Sequence, residues 1–282
     1  NKRLKAAVDL SRVDTNLVAR IASFVGTARE LLTCKSFGGI PPGSDLDWSL
    51  AEEVAREAVS SGRNETEGVR TTLPLRVGGR TTWLAVLHES ETPLKFDTLW
   101  GIDIEHQDGR KTSVIGGYYT SGAAIASNYV MCSGIHYAEF HLTECSCIGV
   151  VRPLNLSPDR FANGAFHFHV RNFFGDFLAA RTDTWGRGNV HSCDYNLKDG
   201  LMSWTNWDDL AETFLEWEGV EGCLSGDTLG MVLNLDEGTL SVYKNNRRLG
   251  VMKDGLCGSY CWCVSVWGGG AVAIKIGEPP RL

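Results

Sequence analysis

No apolar run in the chain approaches the roughly 18 residues that a membrane-crossing helix requires, so no transmembrane helix is expected. The first residues also lack the apolar stretch of a secretory signal, which predicts a cytoplasmic or nuclear protein. Concentrated positive charge is missing too. The formal net charge is -7 and the basic clusters are as short as Arg247-Arg248, which excludes a general nucleic-acid binder because phosphate recognition needs a local excess of Lys and Arg. There is no G-x-S-x-G, no P-loop and no H-E-x-x-H, so no catalytic residue and no cofactor is expected. Proline is scarce, 8 against 32 glycines, a balance that favours many turns. None of the 9 cysteines forms C-x-x-C. Cys145 and Cys147, like Cys261 and Cys263, stand two apart among apolar residues, on one face of a strand, and read as small buried hydrophobes in a reducing compartment.

What is present is an ordinary globular composition, 43% hydrophobic and 22% charged, over a length that allows a large domain with a small one attached. Residues 1–62 read as helical. Leu17, Val18, Ile21, Phe24 and Val25, then Leu31 and Leu32, follow helical spacing, and Gly26 divides them. The glycines and prolines of 37–45 interrupt regular structure. A further helix follows in which Trp48, Leu50, Val54, Ala55 and Ala58 share a face, with Glu52, Glu53, Arg56 and Glu57 largely opposite. From about residue 70 to 282 the period changes to alternation. Strand-like runs recur at 81–88, 99–106, 136–142, 147–152, 165–170, 226–252, 262–267 and 271–276, separated by Gly, Asn and Asp turns. Many short strands with few helices predict a mainly β fold, an antiparallel β-sandwich or jelly roll with a small N-terminal helical segment.

The stretch GDTLGMVLNLDEGTLSVYKNNRRLGVM, residues 226–252, is the best specified of these runs. Leu229, Met231, Leu233 and Leu235 lie on one face, Asp236-Glu237-Gly238 turns the chain, and Leu240 and Val242 resume the apolar face before Asn245-Asn246 turns it again. This stretch resembles the central hairpin of SPRY domains. SGIHYAEFHL (133–142) is similar to that family's G-x-H-Y-W-E strand, with Ala138 at the bulky position, and CWCVSVWGGGAVAIKIG (261–277) to its closing strand pair. The resemblance covers residues 116–278. It implies a bent, concanavalin-like β-sandwich that binds a protein or peptide through loops at one end, without catalysis.

In the closing strand, Val266, Trp267 and Gly268 resemble the V-W-G triplet that contributes to a peptide pocket in SPRY proteins carrying a SOCS box. Trp267 either faces such a ligand or fills the core. The run of Gly268, Gly269 and Gly270 behind it suits a loop edge where backbone comes close to a partner. Tyr118 and Tyr119, after Gly116-Gly117, and the loop around Phe161 are the further candidates. The helical N-terminus resembles an F-box through Leu17, Ile21, Phe24, Leu31, Leu32 and the C-K-x-F ending at Phe37, although only Thr33 separates the leucine pair from Cys34. That resemblance implies docking on a Skp-type adaptor and a cullin, hence a substrate-binding subunit of a ubiquitin ligase. The same helices could instead cap the sandwich.

Two other chemistries have candidate residues in the sequence. His167 and His169 fall on one face of the 165–170 run, but no carboxylate or cysteine at a recognisable spacing completes a zinc set, so no metal is expected. Asp208, Asp209, Glu212, Glu216 and Glu218 lie in a turn-rich or helical stretch and read as a solvated face rather than a paired-carboxylate site. The alternative to a recognition module is therefore a jelly-roll lectin or glycosidase, with Trp204 and Trp207 as sugar-facing aromatics.

Overall fold

A computed structural model of the chain describes residues 49–60, 83, 84, 87, 93–143 and 146–277. The chain divides into two compact units, Asn1–Pro93 and Leu94–Leu282.

In the first unit, helix α1 (Leu50–Ser60) starts where Ser49 accepts the Glu52 amide at 3.3 Å on Oγ, with Glu52 and Glu53 in the first turn beside the positive end of the helix dipole. Ala51, Val54, Ala55 and Val59 are buried, and so is Glu53. Glu53 also pairs with Arg56 at 2.6 Å. The run 81–88, which alternation assigns to a strand, is instead helical at Trp83, Leu84 and Leu87. The Glu52 carboxylate accepts the amides of Trp83 and of Leu84, the latter at 3.3 Å. The F-box-like residues Leu17, Ile21, Phe24, Leu31, Leu32 and Phe37 lie outside the described residues.

The second unit is built on two seven-stranded antiparallel sheets. The strands are β1 (Thr98–Trp100), β2 (Glu105–His106), β3 (Ser113–Ile115), β4 (Gly122–Ile125), β5 (Ile135–Leu142), β6 (Ser146–Val151), β7 (Ser192–Asn196), β8 (Met202–Thr205), β9 (Ala211–Leu215), β10 (Thr228–Asn234), β11 (Thr239–Lys244), β12 (Arg247–Lys253), β13 (Cys261–Val266) and β14 (Ala271–Ile276). The first sheet runs β1-β4-β13-β6-β7-β8-β9 and the second β12-β11-β10-β5-β14-β3-β2. Between them lies one apolar core. Ile148, Val150, Tyr195, Trp262, Val264 and Val266 face it from the first sheet, and Phe140, Leu229, Met231, Leu233, Leu240, Val242, Val272 and Ile274 from the second. Phe140 and Trp262 meet across the layers edge to face, centroids 6.0 Å apart.

The hairpin of 226–252 carries the register read from its alternation: Met231 pairs with Val242 and Leu233 with Leu240, all fully buried. Asn245 and Asn246 both take positive φ, 50° and 66°, in the tight turn to β12. The run 99–106 is not one strand but two in different sheets, because Gly101 turns the chain at φ 108° between β1 and β2. Residues 165–170 form no strand either. Phe166 and Phe168 alternate inward as a strand would, yet they belong to a covering segment rather than to a sheet.

That cover explains why β6 and β13 are buried at every residue. Their outer faces, through Val151, Cys261 and Cys263, meet a second cluster made by Trp100, Phe161, Phe166, Phe168, Phe174, Phe177, Trp185 and Trp207. Phe174 and Phe177 come from the short helix α2 (Phe174–Ala179). A strand buried on both faces reads as a continuous apolar run, which is what CWCVSV is. The fully buried Arg152 fastens this cover. Its guanidinium donates to the carbonyls of Cys257 at 2.7 Å, Ser259 at 3.2 Å and Gly188 at 3.2 Å, and lies over the Tyr260 ring at 4.2 Å.

Candidate functional site

Two connections that cross between the sheets come together at one place. The first, residues 116–121, leads from β3 to β4; the second, residues 267–270, leads from β13 to β14. Gly116 donates its amide to the Gly270 carbonyl at 2.9 Å, and Gly269 donates to the Gly117 carbonyl at 3.3 Å. The second connection is closed by Gly270 N–H to Trp267 C=O at 3.0 Å, with Gly268 and Gly269 at φ 64° and 77°. Two successive positive φ values in a closed four-residue turn are the mark of type I′, and glycine supplies them without steric cost. The approach is close: a Cβ on Gly116 would stand 2.9 Å from Val266 Cγ2.

On this base stand two exposed aromatic rings. Tyr118 and Tyr119 are 75% and 95% exposed, and they contact each other edge to face with centroids 5.5 Å apart. Trp267 is half-buried at the lip of the turn. A third loop completes the patch. Thr120 donates its hydroxyl towards the Ile102 carbonyl at 3.3 Å and the Asp103 carboxylate at 3.2 Å, and Ile102 is 40% exposed. Asp103 is held at φ 61°, a left-handed conformation that turns the loop between β1 and β2. Ile102, Asp103 and Thr120 were not foreseen from the sequence; the Gly101 bend before them is the signal that could have pointed there.

Of the residues singled out in the sequence, Tyr118 and Tyr119 thus stand on one of two cross-bonded connections and Trp267 and Gly268 on the other. Val266 does not join them: it is fully buried and faces the inter-sheet core, as the strand alternation from Trp262 and Val264 requires. Phe161 does not join them either. It is 3% exposed, with Trp100 at 4.9 Å and Phe166 at 5.1 Å between ring centroids, so its ring is not available to a partner. Its backbone instead supports the third loop, accepting the Gly101 amide at 3.1 Å.

The sugar-facing reading loses its aromatics. Trp204 is 9% exposed and Trp207 fully buried, their indole N–H groups donating to Glu212 Oε2 at 2.6 Å and to the Phe168 carbonyl at 3.0 Å. Glu212 lies on strand β9, not in a helix, while Asp208, Asp209, Glu216 and Glu218 are exposed around it. His167 and His169 do acquire partners, Asp194 and Cys147, from strands that sequence spacing could not relate to them.

The chain matches no protein-family model and no curated protein. Among solved structures it is similar to the SPRY domain of human HERC1, at 16% identity and a TM-score of 0.41, over 62% of this chain and 96% of that one. It is similar to the TRIM65 PSpry domain at 15% identity and a TM-score of 0.39, over 65% and 90% of the two chains. A human SPRY domain gives 16%, 0.33, 64% and 99% in the same order. These likenesses assign no activity and no ligand.

Proposed function

We propose that the second unit is a SPRY-type module that recognises a protein through an extended peptide laid across Tyr118, Tyr119 and Trp267, and that it performs no catalysis. The observation that carries this reading is the pair of exposed tyrosines standing on two cross-bonded connections, beside a half-buried tryptophan at a rigid glycine turn. Exposed aromatics on a fixed base are what binding hot spots are made of: they bring large contact area while losing few rotamers. Asp103 and Thr120 add polar groups at the rim, suited to a peptide's backbone amides. The three SPRY-like sequence segments support the same reading, since β12, β11, β10, β5 and β14 run side by side in the second sheet, while β13 lies in the first.

With an F-box at residues 1–62, the module would act as the substrate-binding subunit of a cullin-type ubiquitin ligase, docking through Leu17, Ile21, Phe24, Leu31, Leu32 and Phe37. The test is affinity purification of the full chain followed by mass spectrometry, beside a Tyr118→Ala/Tyr119→Ala/Trp267→Ala variant. Under this reading a Skp-type adaptor and cullin accompany both proteins, and a further partner accompanies only the unaltered one. Loss of no partner in the variant counts against the surface, and absence of adaptor from both counts against the F-box.

A further inference from the structure

On the outer face of the first sheet, under the 165–170 segment, Cys147, His167 and Asp194 bring a thiol sulfur, an imidazole nitrogen and a carboxylate oxygen within 4.8 Å of one another. Strand pairing makes this meeting. β6 and β7 place Gly149 opposite Asp194, Cys147 lies two residues from Gly149 on the same face, and Gly149 itself brings no side chain there. His167 arrives from above between Phe166 and Phe168, which anchor its segment in the aromatic cover.

The carboxylate is the telling group. Asp194 is 3% exposed, and its Oδ2 takes His169 Nε2 at 2.9 Å while its Oδ1 is buried with no hydrogen-bond partner among the described residues. An ionised oxygen left bare in an apolar setting is costly, and a cation is the usual compensation. His169 holds the other side of the group, and its amide donates to His167 Nδ1 at 3.4 Å. Burial, with Asp194 nearby, holds the Cys147 thiol well above its ordinary value, so without a cation the sulfur keeps its proton. Burial likewise holds His167 below its ordinary value, which leaves a neutral imidazole; its single lone pair, on the Nδ1 that accepts the His169 amide at 3.4 Å, would pass to the ion, or the ring would switch tautomer and give Nε2.

We propose that Cys147, His167 and Asp194 bind one divalent ion of the zinc class, with Asp194 Oδ1 as the oxygen ligand and His169 orienting the carboxylate through Oδ2. Sulfur and nitrogen donors select zinc or cobalt over magnesium or calcium, which take oxygen sets. On binding, the sulfur–metal bond replaces the S–H bond and the proton leaves to solvent. A histidine bonded to the carboxylate ligand is the second layer such sites commonly use. The ion would pin the 165–170 segment to the sheet. Phe166 in that segment donates its amide to the Ser121 carbonyl at 2.8 Å, so the pin reaches the base of the Tyr118–Tyr119 connection.

The test uses the full chain, stripped with chelator and titrated with cobalt. One equivalent should bind with a thiolate-to-cobalt charge-transfer band, zinc should remove the band, and zinc should raise the melting temperature by several degrees. Cys147→Ser should lose the band, whereas a Cys132→Ser/Cys257→Ser variant, altered at exposed thiols, should keep it. A wild-type protein with neither band nor zinc-dependent melting overturns the proposal. So does a band that survives in folded Cys147→Ser, or one lost only in the Cys132→Ser/Cys257→Ser variant. If Cys147→Ser does not fold, His167→Ala should still bind cobalt at least 10-fold more weakly than the wild type, and unchanged affinity there is contradictory.

Discussion

Tyr118 lies against Gly269: a Cβ on that glycine would stand 3.3 Å from Cδ2 of the ring, close enough that the ring would have to give way. The exposed ring is thus seated on the backbone of the other connection, and the two connections form one surface. Gly269→Ala should act in two ways. The left-handed conformation at φ 77° costs a non-glycine residue roughly 1 kcal/mol or more, which should lower the melting temperature by a few degrees. The added methyl should also displace Tyr118, seen as altered tyrosine ring signals in NMR, and weaken partner capture beyond what the stability loss explains.

Arg152 should be a stability residue although it is charged. It is fully buried and donates to three carbonyls from the 188 and 257–259 regions, with no carboxylate among those contacts. Arg152→Ala strands those carbonyls and opens a cavity beside Tyr260, at a cost on the order of 3 kcal/mol or more in urea unfolding. Arg152→Lys should recover only part of that, since an ammonium cannot span the same fork. A loss below about 1 kcal/mol for the alanine variant would contradict this role.

His191 should make the fold sensitive to mild acid. It is 4% exposed between Trp185 and Trp207, ring centroids 5.2 and 5.4 Å away, and burial, then the charge of Arg152, lowers its pKa to about 4. The sign follows from linkage. Above the unfolded value of about 6.5 the ring is neutral in both states and stability is unaffected; between about 6.5 and 4 the unfolded chain takes up a proton that the fold refuses, so stability falls as pH drops. The loss should be on the order of 1 kcal/mol per pH unit within that window. His141 and His167 are also held low by burial and add to the slope, so the diagnostic is the difference between wild type and His191→Gln in urea unfolding at pH 7.5 and 5. Equal slopes would exclude His191 as a source.

Much of the sandwich was legible because alternation and turn chemistry agree. In 226–252 the apolar period is two, the turn residues fall at the ends, and each strand pairs with its sequence neighbour, so local pattern and final register coincide. The residues that misled did so for a physical reason. Phe166 and Phe168 alternate because their side chains enter the aromatic cover, and periodicity reports burial, not hydrogen bonding. Phe161 follows the same rule, an apolar residue in a loop that is a wall of the core. In the candidate surface, Tyr118, Tyr119 and Trp267 could be picked individually, but their meeting depends on β3–β4 and β13–β14 crossing between the sheets side by side, which no local pattern encodes. The Cys147–His167–Asp194 group was invisible for the same reason, being assembled from two strands and a loop.

A recognition surface at Tyr118, Tyr119 and Trp267 can be probed by selecting a displayed random-peptide library on the full chain and measuring the winning peptides by calorimetry. Trp267→Ala and Tyr118→Ala/Tyr119→Ala should each lose about 30-fold in affinity or more, as truncating an aromatic hot spot costs about 2 kcal/mol, while melting within a few degrees of the wild type. Peptides that bind all three proteins equally would contradict it and direct attention to the groove lined by Leu142, Leu197, Cys223 and Leu224.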